Sequence, residues 1–129
     1  MKPKEKNLDD INVGDLASFE RTITDDDIIK FADISGDYNP LHLDGKVVYG
    51  MFLGALVSRL VGMELPGKYA LLFKECMEFK KPARVGDTLT VKGAVIFKSQ
   101  ASRIIELAIE IRKDKELLAS GSAHVRVLK

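Results

Sequence analysis

The stretch Val47–Leu60 constrains this chain more than any other part of it. Its 14 residues are interrupted only by Ser58 and Arg59 as fully polar side chains, whereas a bilayer span needs roughly 20 apolar residues. It is therefore a helix for a protein interior. From Gly50 to Gly62 the residues Met51, Phe52, Leu53, Ala55, Leu56 and Val57 fall on nearly every side of a helix, which predicts an element surrounded by protein. The rest of the chain must supply that surround. Past a Leu65-Pro66-Gly67 stop the period changes to two, with Leu71, Phe73, Met77 and Phe79 expected on one face of a strand and Lys74, Glu78 and Lys80 on the other. A second strand is expected over Leu89–Lys98, with Val91, Val95 and Phe97 on a common face. A third sets Ile105, Leu107, Ile109 and Ile111 against Glu106, Glu110 and Arg112. After a Lys113-Asp114-Lys115 turn, Leu117–Leu128 returns with Val125 and Val127 inward.

Upstream, Ile11–Thr22 reads as an edge strand. Thr24 followed by Asp25, Asp26 and Asp27 reads as a helix start, because the threonine hydroxyl can accept a first-turn N–H and the carboxylates complement the positive dipole end. That helix should end near Ser35-Gly36, and Asp37–Asp44 should be a loop held by Pro40. The predicted fold class is α+β, an antiparallel sheet wrapped around a central apolar α-helix. A chain of 129 residues reads as one domain, residues 1–129, since a second core would have almost nothing left to bury.

Composition narrows the possible partners. Twenty basic and nineteen acidic residues leave a net charge of +1, too balanced for the electrostatic footprint of nucleic-acid binding. The single cysteine, Cys76, and two histidines are too few for a structural zinc site, and no metal is expected. The charged start Met1–Asn7 has no apolar segment behind it, which points to a cytoplasmic protein with no membrane partner.

Chemistry gathers at Ser35-Gly36-Asp37-Tyr38-Asn39-Pro40-Leu41-His42. Asp37 and His42 lie five apart across a proline-stiffened loop and can face one pocket, where a carboxylate orients or deprotonates a water and an imidazole exchanges protons near neutral pH. Asn39 can fix that water or the loop, and on spacing alone ordinary turn formation explains Asp and Asn here better than catalysis does. Gly50 opens the buried helix, and a free N–H there suits a developing negative charge such as a thioester oxygen. The plainer reading is that Gly50 and Gly54 let the helix pack closely on a sheet. Cys76 has no neighbouring base to activate it, and the acidic run Asp25–Asp27 fits the helix dipole better than a metal.

The run Phe31-Ala32-Asp33-Ile34-Ser35-Gly36-Asp37-Tyr38-Asn39-Pro40-Leu41-His42-Leu43-Asp44, followed by Gly50-Met51 and Ser58, resembles the MaoC-like (R)-specific enoyl-CoA hydratase family. The resemblance implies a hot-dog fold and a hydro-lyase that adds or removes water across the 2,3 double bond of an acyl thioester. It implies that Asp37 and His42 are the catalytic pair, that Asn39 braces their loop, and that the Gly50 N–H polarises the thioester carbonyl. Ser58 matches a pocket serine. It further implies a homodimer with sheets joined edge to edge, coenzyme A or acyl carrier protein as the substrate's carrier, and no other cofactor.

Two positions depart from the family pattern. Tyr49 stands where the family has histidine, and can donate a hydrogen bond but carries no positive charge at neutral pH. The interval from His42 to Gly50 is about ten residues shorter than usual, so a stretch between Asp44 and Gly45 is either lost, opening the site, or a mobile segment left out of the chain as written; the second is expected. Two rivals accompany the hydratase reading: a hot-dog acyl-CoA thioesterase, and a non-catalytic acyl-thioester-binding module.

Overall fold

The computed structural model describes residues 1–129. A 3-10 turn (Leu8–Asp10) precedes β1 (Leu16–Thr22), α1 (Asp25–Ser35), a short α2 (Pro40–Leu43) and α3 (Gly50–Arg59), which widens into a π turn over Leu60–Glu64. Four long strands follow: β2 (Ala70–Phe79), β3 (Thr88–Ser99), β4 (Ile104–Lys113) and β5 (Glu116–Val127). They form one antiparallel sheet in the order β1-β3-β4-β5-β2, so β1 and β2 are its edges.

The predicted helix start is realised in full. Thr24 Oγ1 accepts the Asp27 N–H, Asp27 Oδ2 accepts the Thr24 N–H, and the helix turns off through Gly36 in the left-handed region at φ 77°. The acidic run diverges: Asp25 pairs with Lys46, Asp26 with Lys30, and Asp27 with Arg21 of β1. The Thr24 N–H and the Arg21 guanidinium hold the Asp27 carboxyl below its ordinary range, against the opposing effect of its burial.

The core lies between α3 and the concave face of the sheet. Leu53, Leu56, Val57, Leu60 and Val61 meet the inward alternation of Ile105, Leu107, Ile109 and Ile111, with Val125 and Val127 beyond. The helix crosses the sheet from edge to edge. At its start Gly50 lies against the Phe79 ring of β2, and at its end the Arg59 guanidinium stacks 4.0 Å from the Phe19 ring of β1.

Four expectations need correction. The segment read as a loop contains α2, because Asn39 caps it and Pro40 takes the first helical position. Helix α3 is not surrounded: Met51, Ala55 and Ser58 are exposed, Met51 to 71%, because one sheet covers only one side of a helix. In β2 a register shift between Leu72 and Lys74 reverses the alternation. Leu71 and Phe73 are thus exposed, Leu72 packs against the core, and Glu75 joins Met77 and Phe79 opposite the inward residues of β5. A similar shift between Val95 and Phe97 exposes Phe97 while Val95 stays buried.

Candidate active site

The loop between α1 and α2 is shaped by short hydrogen bonds within its own sequence. Ser35 Oγ donates to the Phe31 carbonyl and accepts the Asp37 N–H; Asp37 Oδ1 accepts the Asn39 N–H; Asn39 Oδ1 accepts the Leu41 N–H. Each is a turn or a cap, and together they set Asp37 at the loop's crest and His42 on the turn of α2 that follows. Asn39 therefore braces the loop.

His42 is held more firmly than its neighbours in sequence could indicate. Its Nδ1 lies 2.7 Å from the Val47 carbonyl oxygen, which can only accept, so Nδ1 carries the proton and Nε2 presents a lone pair when the ring is neutral. Nε2 faces Asp37 Oδ2 at 3.9 Å. That is too long for a direct hydrogen bond and short enough for one water to touch both. The imidazole is 14% exposed and the carboxylate 49%.

Tyr49 fixes this pair from below. It is 3% exposed, stacks on His42 with ring centroids 3.9 Å apart, and its hydroxyl donates to the Asp37 backbone carbonyl at 2.7 Å. Burial, with a further contribution from the Asp37 charge, raises its pKa above the ordinary phenol value. The hydrogen bond that Tyr49 can donate is thus spent on the Asp37 backbone. Phe31 completes the wall, 4.8 Å from the Tyr49 ring.

Gly50 is the first residue of α3, where a backbone N–H has no intrahelical acceptor, and Tyr49 offers it no side-chain cap. Asp37, His42, Tyr49 and Gly50 line one cavity of about 180 Å³ with Phe31, Ser35 and Met51. A larger cavity, about 330 Å³, shares His42 and Gly50 and is walled by Val47, Val48, Leu53, Phe79 and Ala83. Ser58 lines neither; it lies two turns further along α3, exposed.

The junction at Asp44 and Gly45 is a closed turn, not an interruption. The Gly45 N–H donates to the Pro40 carbonyl at 3.0 Å, the Val47 N–H to that of Leu41 at 3.2 Å, and Val48 bonds to Ala83 at 2.8 Å. A Cβ on residue 45 would sit 2.5 Å from the Leu41 carbonyl oxygen, so the turn requires glycine. The expected left-out segment is overturned: the full sequence joins here, and the short link leaves the larger cavity open beside His42.

Residues 12–116 match the MaoC-like domain family model. This chain belongs to the MaoC-like family. Among curated relatives of this MaoC-like chain, an (R)-specific enoyl-CoA hydratase of Rhodospirillum rubrum is 35% identical over 130 residues, covering 93% of this chain and 90% of that one. A 3-hydroxybutyryl-CoA dehydratase of Methylorubrum extorquens is 30% identical over 132 residues, covering 95% and 84% respectively. Among solved structures, an (R)-hydratase of Aeromonas caviae involved in PHA biosynthesis superimposes with a TM-score of 0.87 at 31% identity, over 91% of this chain and 97% of that one. The sheet wrapped on α3 is thus the hot-dog fold.

Two contributors had no assigned role in the sequence. The Val47 carbonyl, which selects the His42 tautomer, acts through backbone and leaves no residue signature. Ser35 lay within the motif, and its spacing of two before Asp37 is the signal that could have marked it as a turn brace.

Proposed function

We propose that this chain is an (R)-specific enoyl-thioester hydratase, or the same enzyme run in reverse as a (3R)-hydroxyacyl-thioester dehydratase. One observation carries the reading: Asp37, the free Nε2 of His42 and the uncapped helix start at Gly50 share a single cavity. A water between Asp37 and His42 attacks C3 of the enoyl group and gives up a proton to the pair. The C2–C3 π electrons move toward the thioester carbonyl, whose oxygen accepts the Gly50 N–H. A proton from the pair then goes to C2, so that one water has been added and the side chains are restored.

Coenzyme A or an acyl carrier protein carries the substrate, and no further cofactor takes part. The active assembly is a homodimer in the cytoplasm. What supports the dimer is the uncovered face of α3 at Met51, Ala55 and Ser58 beside the unpaired edge of β2. Asp37→Asn and His42→Ala are each expected to lower crotonyl-CoA hydration by at least ~10²-fold, the usual worth of a positioned acid or base. The assay follows loss of the conjugated enoyl absorbance. Full activity in both variants, or release of free thiol in place of a hydroxyacyl ester, overturns the reading.

A further inference from the structure

A ridge of small residues leads away from the catalytic cavity. Gly50, Gly54 and Ser58 follow one another at intervals of four in α3, so they lie on one side of the helix. The inner face of β2 runs beside them. A Cβ built on Gly50 would lie 3.1 Å from the Phe79 ring, and one built on Gly54 would lie 3.1 Å from Glu75 Oε1. Met51, Gly54, Glu75, Met77 and Phe79 together line a cavity of about 240 Å³. It adjoins the catalytic cavity through Met51 and the larger cavity through Phe79.

Four of those five residues carry no charge. Glu75 is the exception, and nothing in the chain pairs with it: the residue is exposed, and the partial loss of water at its carboxyl beside these neighbours pushes its pKa up. Its place on this face follows from the register shift between Leu72 and Lys74; with uninterrupted alternation it would point to the opposite side of the sheet. An unpaired carboxylate beside apolar side chains, next to a site that takes acyl groups, calls for a reason.

We infer that Glu75 limits the length of the acyl chain this site accepts. The inference rests on the hydratase reading at one point, that the thioester carbonyl sits at the Gly50 N–H. From Gly50 to Gly54 the helix rises about 6 Å. A four-carbon acyl group stops short of Gly54 and leaves Glu75 in water. An eight-carbon chain running along the ridge toward Ser58 passes the carboxylate and strips its water, with no hydrogen bond offered in return. Short acyl groups are therefore favoured, by exclusion of longer ones.

The test measures butyryl-CoA and octanoyl-CoA binding by calorimetry to the wild-type chain, Glu75→Gln and Glu75→Leu, with crotonyl-CoA turnover in parallel. Glu75→Leu is expected to raise the octanoyl-to-butyryl affinity ratio about tenfold or more, since each buried methylene then gains its full transfer energy. Glu75→Gln, which keeps the shape and removes the charge, raises it by about threefold. Should the leucine variant fail to fold, the glutamine variant decides. A ratio unchanged within twofold in the folded variants overturns the inference and leaves the hydratase reading standing if turnover is intact. A shifted ratio without turnover in the wild type does the reverse, and a chain that binds neither ester ends both.

Discussion

Strands β4 and β2 present similar alternation to the eye but end up in different situations. In β4 every second residue from Ile105 to Ile111 is buried, because the extra residues at its register shifts lie in β3 and β5 and its own alternation is unbroken. In β2 only β5 holds it, the register slips between Leu72 and Lys74, and the inward phase passes from Ala70 and Leu72 to Glu75, Met77 and Phe79. A place inside the sheet does not by itself exclude a bulge, since β3, flanked by β1 and β4, also shifts register between Val95 and Phe97; what sets β4 apart is that its own alternation runs unbroken from Ile105 to Ile111. The bulge is what carries a carboxylate to the rim of the active site.

This contrast can be broken or sharpened by mutation. The largest expected effect is at Ile109, 1% exposed in β4: Ile109→Ala should cost about 2–5 kcal/mol by denaturant unfolding, through lost burial and the cavity left behind. The opposite edge, β1, is tied to α1 by the Arg21–Asp27 pair, and Asp27→Asn should cost about 1–2 kcal/mol near neutral pH. Because the folded pKa of Asp27 is depressed, that contribution is present above the unfolded carboxylate value near pH 4 and is lost as pH falls through the lower folded value. Unfolding curves of the two proteins should therefore converge below about pH 4, and a gap of constant size would show that the pair's charge is not its source. The smallest effect belongs to Leu71 on the outer face of β2, 51% exposed, where Leu71→Ala should stay within about 0.5 kcal/mol. A cost comparable to that at Ile109 would mean that the face is covered in solution.

The link between α2 and α3 is compact. The seven residues between His42 and Gly50 are closed by Gly45 and Val47 bonding back to α2, and Val48 pairs with Ala83 on the far side. A compact turn of this kind costs little loop-closure entropy and gives His42 its fixed partner, the Val47 carbonyl. The bonds that shape the loop before α2, from Ser35, Asp37 and Asn39, all fall ahead of this link, and only His42 draws a partner from it.

Much of this molecule is local and was therefore legible in its sequence. Thr24 and Gly36 mark the ends of α1, and Ile105–Ile111 mark a core strand. Ser35–His42 carries a family's loop, because caps, periodicity and short turns depend on residues within a few positions of one another. What tertiary structure alone decided lies at longer range. Tyr49 spends its hydroxyl on the Asp37 carbonyl, Val47 sets the His42 tautomer, one face of α3 stays bare, and Glu75 turns inward. Each of these follows from which strand or loop came to lie beside which. That is a matter of register and chain closure, which no window of sequence contains.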